Sequence, residues 1–329
     1  MPAKKRPRAK GTGREPNVFR KAMTHGRDLA SEVIRAREKK RSVLEAEGPS
    51  NGLLIAEGDS WFDYPFFDIL ERLEDEFGFV VESVAHKGDT VESMAYDASQ
   101  VSKLARMFEK LGNQGSQPRA ILLSGGGNDI AGDEFAIMLN HQASGLPVLN
   151  DRVVEGIINE RLKFAMVSVI SSVTTLSKRY FGRAVPILLH GYGHAIPDGR
   201  GYLGGAWILP GPWLRPGFIQ KGYGDLKFNA GVVADLIDRF NAMLQTIPAD
   251  PALSHVRYLD LRNTLTSDLA GYKKSWGDEL HPTKSGFGTV AAVFATAVKA
   301  FPQAGLGSGP EGMARPRPTR RGAAQPRHK

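Results

Sequence analysis

The stretch LLIAEGDSWFDYP, residues 53–65, opens with an apolar run and ends among turn-forming and aromatic residues. The run 53–57 is too short for a stable helix, and glycine and aspartate follow it directly, which is typical of a short buried β-strand. Ser60 comes next, between Asp59 and Trp61. Taken alone, it is a turn or helix-capping serine; alternatively, the strand presents its hydroxyl.

The same pattern repeats along the chain, where short apolar runs alternate with longer segments of helical character. Short strands separated by long helices indicate a parallel sheet that is buried on both faces. We therefore predict an α/β fold, a three-layer sandwich of flavodoxin-like type, with a central parallel sheet of about five strands flanked by helices. The expected strands are 53–57, 79–85, 120–124, 186–190 and 256–261, and the expected helices are 66–77, 90–111, 152–180, 228–246 and 284–300.

Charge divides the chain into a mildly acidic body and basic ends. Residues 1–50 carry a net charge of +8 and residues 302–329 one of +5, so residues 51–301 carry −5 within the total of +8. We predict a basic disordered tail over 1–17, a basic helical extension over 18–50, one domain over 51–301 and a basic, Pro/Arg-rich disordered tail over 302–329. The ends are interpreted as solvating or localising tails; binding to nucleic acid, an anionic surface or an acidic partner is the alternative.

Cellular location is predicted from what the sequence lacks. No apolar run approaches the roughly 18 residues of a membrane span, so no transmembrane segment is expected. The basic N-terminus has no apolar signal region, and the chain contains no cysteine, which excludes disulfides and thiolate chemistry. These features favour the cytoplasm.

Polar residues follow several of the predicted strands, at the edge where α/β sheets place their ligand sites. Ser60 follows the first strand, Gly88 the second, and Asn128 lies in SGGGNDIAG after the third. Asp278 and His281 lie in WGDELHPTKSGF, just before the last helix. Each has an ordinary structural interpretation, but together they supply the nucleophile, base, acid and oxyanion donors of acyl transfer.

The blocks GDS, a glycine after the second strand, GGND and DELHP resemble, in this order, the four sequence blocks of the SGNH (GDSL-type) hydrolase superfamily. The resemblance extends from residue 53 to about 300. It implies a serine esterase or acyl hydrolase without metal or cofactor. Ser60 would be the nucleophile, Asp278 and His281 would complete the catalytic triad, and Gly88 and Asn128 would serve the oxyanion hole. Trp61 departs from the family pattern, where a small or aliphatic residue usually follows the serine.

Aromatic residues are concentrated in the long connection 191–227, which we predict to be a packed lid or substrate-binding insertion. An ordinary surface loop is the alternative, and connection 130–150 is a second candidate wall. His190 and His194 have the spacing of metal ligands, but the glycines between them argue against a metal-binding helix, and no metal site is expected. The candidate substrate-binding residues are Trp61, Tyr192, His194, Trp207 and Trp213.

These observations favour a serine hydrolase that cleaves an ester or related acyl bond through an acyl-enzyme. The expected substrate is a small-molecule, lipid or carbohydrate acyl ester. One alternative is a hydrolase-like binding protein whose basic tails engage nucleic acid or an acidic partner. Another is an acyltransferase that uses the same triad.

Overall fold

A five-stranded parallel sheet forms the centre of the computed structural model, which describes residues 51–65, 67–202 and 210–302. The strands lie in the order β2-β1-β3-β4-β5, and every neighbouring pair is parallel. This order and the helices on both faces confirm the predicted flavodoxin-like sandwich. The strands are β1 (Leu53–Glu57), β2 (Val80–Ser83), β3 (Ala120–Leu123), β4 (Ile187–His190) and β5 (Val256–Leu259).

The helices connect successive strands and cover both faces of the sheet. Helix α1 packs against α10 on one face, and α2 and α3 pack against α7 on the other. The helices are α1 (Ile69–Asp75), α2 (Val91–Tyr96), α3 (Ala98–Asn113), α4 (Gly127–Ile130), α5 (Asp133–Ile137), α6 (Asp151–Glu155), α7 (Lys163–Phe181), α8 (Arg215–Gln220), α9 (Leu226–Thr246) and α10 (Lys284–Lys299). None of the helices in these described ranges is long and apolar enough to cross a bilayer.

Burial explains why the central strands are continuous apolar runs. All four residues of β3 and of β4 are buried, as are the last four of β1. A strand covered by helices on both sides cannot alternate apolar and polar residues without burying unpaired polar groups. The outer strands β2 and β5 are only partly buried, in keeping with their position at the edges of the sheet.

Two predicted helices differ from the observed ones. The helix expected over 90–111 is two helices, because the Asp97 side chain accepts hydrogen bonds from the N–H groups of Ser99 and Gln100 and begins α3 there. The helix expected over 152–180 spans α6 to α7 and includes a π-helical segment over Gly156–Leu162. The predicted segments 1–17 and 18–50 and nearly all of 302–329 lie outside the described residues.

Gly58 joins β1 to the segment that begins with Asp59 and Ser60, at a point of very close packing. A Cβ atom at this position would lie 2.7 Å from Ser124 Cβ and 2.8 Å from the Ser124 carbonyl oxygen. Only glycine fits such a close approach, because one of the opposing atoms belongs to backbone that cannot rotate away. Gly58 thereby allows the chain leaving β1 to lie directly against the end of β3.

We expect Gly58→Ala to lower the free energy of unfolding by about 1–3 kcal/mol, since the new methyl group must displace β1 from β3. The matched control is Gly231→Ala on the exposed face of α9, where a Cβ would meet no atom within 4 Å. That control should be stabilising by about 0.5–1 kcal/mol because alanine favours helix. Urea unfolding of both variants checks the expectation, and a neutral Gly58→Ala would contradict it.

Candidate active site

A tight turn at the end of β1 presents Ser60. The backbone N–H groups of Phe62 and Asp63 donate to the Asp59 carbonyl at 3.0 and 3.1 Å. The Trp61 N–H donates to the Asp59 carboxylate at 3.0 Å. With the backbone bent around Asp59, the Ser60 side chain is left half-buried at the sheet edge.

Ser60 meets the segment before α10, although 221 positions separate it from His281. Ser60 Oγ lies 2.7 Å from His281 Nε2. On the other side of the imidazole, Nδ1 lies 2.9 and 3.0 Å from the two carboxylate oxygens of Asp278. The three side chains thus form one hydrogen-bonded line from a hydroxyl through an imidazole to a buried carboxylate.

The Asp278 carboxylate is suited to accept hydrogen bonds at neutral pH. Burial by itself raises the pKa of Asp278, but the hydrogen bond and charge interaction with His281, together with backbone N–H donors, outweigh it and lower the pKa. Oδ1 accepts the N–H groups of Leu280 and His281, each at 2.8 Å. The carboxylate is therefore ionised and fixed, and it directs His281 Nδ1–H toward itself.

Gly88, in the loop after β2, and Asn128, in the short helix α4 after β3, are the two predicted oxyanion residues, and their segments contact each other. Asn128 Nδ2 donates to the carbonyl of Asp89, the neighbour of Gly88, at 2.9 Å. Gly88 has φ +87°, a left-handed conformation that favours glycine. The His86 N–H donates to the Gly58 carbonyl at 2.9 Å, which ties the Gly88 loop to the start of the Ser60 turn.

Asp59 is buried beneath Ser60 and holds the turn. Its Oδ1 accepts the Ser124 hydroxyl at 2.8 Å in addition to the Trp61 N–H, and Oδ2 accepts the Tyr192 hydroxyl. Burial and the Asp59 charge raise the pKa of Tyr192, so its phenol remains a donor. The hydroxyl of Tyr192, a predicted substrate-binding residue, thus donates to Asp59. The Tyr192 side chain also lines the adjacent pocket.

Trp61 links the Ser60 turn to the segment that carries His281. Its indole N–H donates to the Leu280 carbonyl at 3.0 Å, and only 3% of the residue is exposed. The ring stacks on His190 at 5.7 Å between centroids and meets Tyr192 edge-on at 5.0 Å. Trp61 borders the pocket, as its prediction as a substrate-binding residue requires, but most of its surface is buried in the core.

An apolar pocket of about 700 Å³, part of it open to solvent, adjoins Ser60 and Asn128. Both connections predicted as walls contribute to it: Ile130 and Phe135 come from one, and Ala195 and Leu214 from the other. Helix α9 supplies the remaining wall. The side chains that line the pocket around the polar entrance are mostly aliphatic and aromatic: Trp61, Ile130, Ala131, Phe135, Tyr192, Ala195, Leu214, Val233, Leu236, Ile237, Phe240, Trp276 and Leu280.

The other predicted substrate-binding residues lie in different places. His194 is directed away from Ser60, because its Nε2 lies 3.0 Å from Asp238 and it lines a separate surface depression. Trp213 meets the His281 ring edge-on at 5.5 Å. Trp207 lies outside the described residues. Among the described residues, no group of three or more His, Cys, Asp or Glu side chains could hold a metal ion.

Glu279, which the sequence analysis did not single out, fastens the long insertion to the His281 segment. This fully buried carboxylate accepts the backbone N–H groups of Gly199, Trp213, Leu214 and Arg215 at 2.6–3.1 Å. Burial raises the pKa of Glu279, and the four backbone donors offset part of the cost of burying its carboxylate. The available signal was its place in DELHP, where an acidic residue directly follows Asp278.

No protein-family model matches this sequence, and no curated protein matches it significantly. Among solved structures, it is similar to a lipase from a goat rumen metagenome, with 12% identity, a TM-score of 0.45, and coverage of 74% of this chain and 96% of that one. A lipolytic G-D-S-L family protein from Veillonella parvula is similar with 14% identity and a TM-score of 0.42, over 73% of this chain and 94% of that one. A catalytic mutant of an acetylxylan esterase from Geobacillus stearothermophilus is similar with 12% identity and a TM-score of 0.39, over 78% of this chain and 97% of that one.

We expect Glu279→Gln to loosen the insertion, because the amide presents N–H groups to some of the four backbone donors. The free energy of unfolding should fall by about 2 kcal/mol, and trypsin should cleave faster after Arg200, which precedes Gly201. The matched control is Glu109→Gln on the exposed face of α3. Equal cleavage rates in both variants and the unaltered protein would contradict the role given to Glu279.

Proposed function

We propose that this protein is a serine hydrolase that cleaves a carboxylic ester through an acyl-enzyme. The observation that carries the proposal is the hydrogen-bonded line of Ser60, His281 and Asp278, with 2.7 Å between the hydroxyl oxygen and the imidazole. A serine hydroxyl is a weak nucleophile unless a base accepts its proton, and His281 is held at that distance by a buried carboxylate.

In the proposed reaction, Ser60 Oγ attacks the ester carbonyl carbon while His281 Nε2 accepts the hydroxyl proton. Asp278 stabilises the imidazolium. The tetrahedral intermediate places negative charge on the former carbonyl oxygen, which the Ser60 and Gly88 N–H groups and the Asn128 amide would stabilise. The C–O bond to the alcohol then breaks, and the alcohol leaves with the proton from His281. Water, deprotonated by the same imidazole, attacks the acyl carbon. The bond from that carbon to Ser60 Oγ then breaks, the acid leaves, and His281 returns the proton to Ser60 Oγ.

The apolar pocket supports an aliphatic acyl chain as the group bound beside Ser60. The alcohol must leave next to His281, whose ring packs against Tyr64 and Trp213. The pocket is lined by Ser60, Asn128 and α9 residues such as Phe240, and His281 is not among its lining residues. With the alcohol on the His281 side, the acyl chain is the part of the substrate that enters the pocket. Burying each methylene there contributes about 0.8 kcal/mol of binding.

Replacing the proposed nucleophile or base should abolish turnover. For Ser60→Ala and His281→Ala we expect kcat for nitrophenyl butyrate to fall on the order of 10⁴–10⁶-fold. A fluorophosphonate probe should label the unaltered protein and not Ser60→Ala. The control is Ser254→Ala, which alters an exposed serine and should keep both activities. Undiminished hydrolysis by Ser60→Ala would refute the proposal.

The acyl pocket predicts a dependence on chain length. Nitrophenyl hexanoate should give a kcat/KM at least about tenfold above that of the acetate, because four more methylenes enter the pocket. Ile237→Trp, which adds bulk to the α9 wall, should lower the hexanoate-to-acetate ratio several-fold. Ala242→Trp on the exposed side of the same helix is the matched control. A hexanoate-to-acetate ratio near one in the unaltered protein would exclude an acyl-binding pocket. It would not contradict the roles proposed for Ser60, His281 and Asp278.

A further inference from the structure

Tyr64, four residues after Ser60, contacts both members of the proposed acid–base pair. Its hydroxyl donates to Asp278 Oδ2 at 3.1 Å. Its ring lies 4.4 Å from the His281 imidazole, measured between centroids, and is tilted by 33°. Phe287 of α10 supports the ring from a third side at 5.6 Å. The phenol therefore has a fixed position against the pair.

The two oxygens of Asp278 have different partners. Oδ1 accepts the N–H groups of Leu280 and His281 as well as the imidazole. Oδ2 faces the imidazole at 3.0 Å and accepts the Tyr64 hydroxyl. Among the hydrogen bonds of the described residues, the one from Tyr64 is the donor to this carboxylate that comes from outside 278–281.

We propose that Tyr64 is a positioning residue that sets the proton affinity of the Asp278–His281 pair, through its hydrogen bond to Oδ2. The inference rests on the proposed function, because it assigns a role within that reaction. Tyr64 does not touch the reacting atoms; it acts on them through the carboxylate. The segment WFDYP thus contributes to the chemistry of the pair as well as to the turn that presents Ser60.

The direction of the effect follows from the charge on Oδ2. Burial and the neighbouring Asp278 charge raise the pKa of Tyr64 above its usual value, so the phenol is a donor throughout the working pH range. A donor on Oδ2 draws carboxylate charge toward itself, and less of it remains to stabilise a protonated imidazole. The unprotonated base is then populated at lower pH than it would be without Tyr64.

The remaining ionisable groups around the pair are held by other partners. Glu279 is bound to the backbone N–H groups of the insertion, and Arg200 donates to the carbonyls of Trp276 and Gly277. Tyr202 meets the Tyr64 ring edge-on at 5.6 Å. Ser60 faces the imidazole from the opposite side. Tyr64→Phe keeps the ring and its packing, so these groups stay in place while the hydrogen bond to Oδ2 is lost.

The test is the pH dependence of Tyr64→Phe. We expect the acid limb of its kcat/KM profile to move up by about half a unit to one unit, since Oδ2 then stabilises the imidazolium more strongly. The nitrogen chemical shifts of labelled His281 should titrate with the same displacement, and this measurement needs no substrate. Tyr258→Phe is the matched control, because it removes a phenol that donates to Asn241 at 2.6 Å.

A second substitution strengthens the hydrogen bond to Asp278 Oδ2 instead of removing it. Difluorotyrosine at position 64 is a stronger donor than tyrosine and should move the acid limb down. The proposal is overturned if Tyr64→Phe leaves both the acid limb and the His281 titration where they were, or if it shifts them no more than Tyr258→Phe does. Failure of the proposed function gives a different result. In that case the unaltered protein hydrolyses esters no faster than Ser60→Ala does, regardless of how His281 titrates in either variant.

Discussion

The buried carboxylate of Asp278 is the point on which the candidate site depends. A carboxylate with 1% exposure is tolerated only where hydrogen-bond donors surround it. Its donors come from the 278–281 segment and from Tyr64, in the turn that follows β1. The hydrogen bonds to the Asp278 carboxylate therefore fix the His281 imidazole. They also join the turn after β1 to the segment before α10. The indole of Trp61, which donates to the Leu280 carbonyl, adds a second bond between the same two parts.

Charge burial organises the surroundings in the same way. Asp59 collects donors from Trp61, Ser124 and Tyr192, and this holds the turn against the ends of β3 and β4. Glu279 collects four backbone donors from the insertion. Three acidic side chains, Asp59, Asp278 and Glu279, thus hold the Ser60 turn, the 278–281 segment and the long insertion in fixed relation. The apolar pocket lies between the elements that they hold, which is why its walls come from distant parts of the chain.

The sequence was sufficient to predict the sheet. Short continuous apolar runs such as 120–124 and 186–190 indicate buried parallel strands even when the residues that pack on them are unknown. It was also sufficient to place Ser60 and Asn128 at one edge of the sheet, since parallel strands all end there, whereas His281 was identified from its sequence block before the last helix. Tyr64 and Glu279 were missed because their partners are distant in the sequence. Tyr64 donates to the Asp278 side chain 214 positions away, and Glu279 accepts backbone N–H groups 64–80 positions away. The break at Asp97 was missed because a capping aspartate and a helical one look alike in sequence. The pairing of His194 with Asp238 could not be predicted, because the direction of a loop side chain depends on its partner.

The separation of 221 positions between Ser60 and His281 has a consequence for the protein during its synthesis. The ribosome completes Ser60, its turn and four of the five strands well before it reaches the segment that holds the imidazole. Until that segment and α10 emerge and dock, the serine is an ordinary alcohol with no base beside it. In the proposed mechanism, the nascent chain is therefore not acylated at Ser60 before the segment with His281 docks.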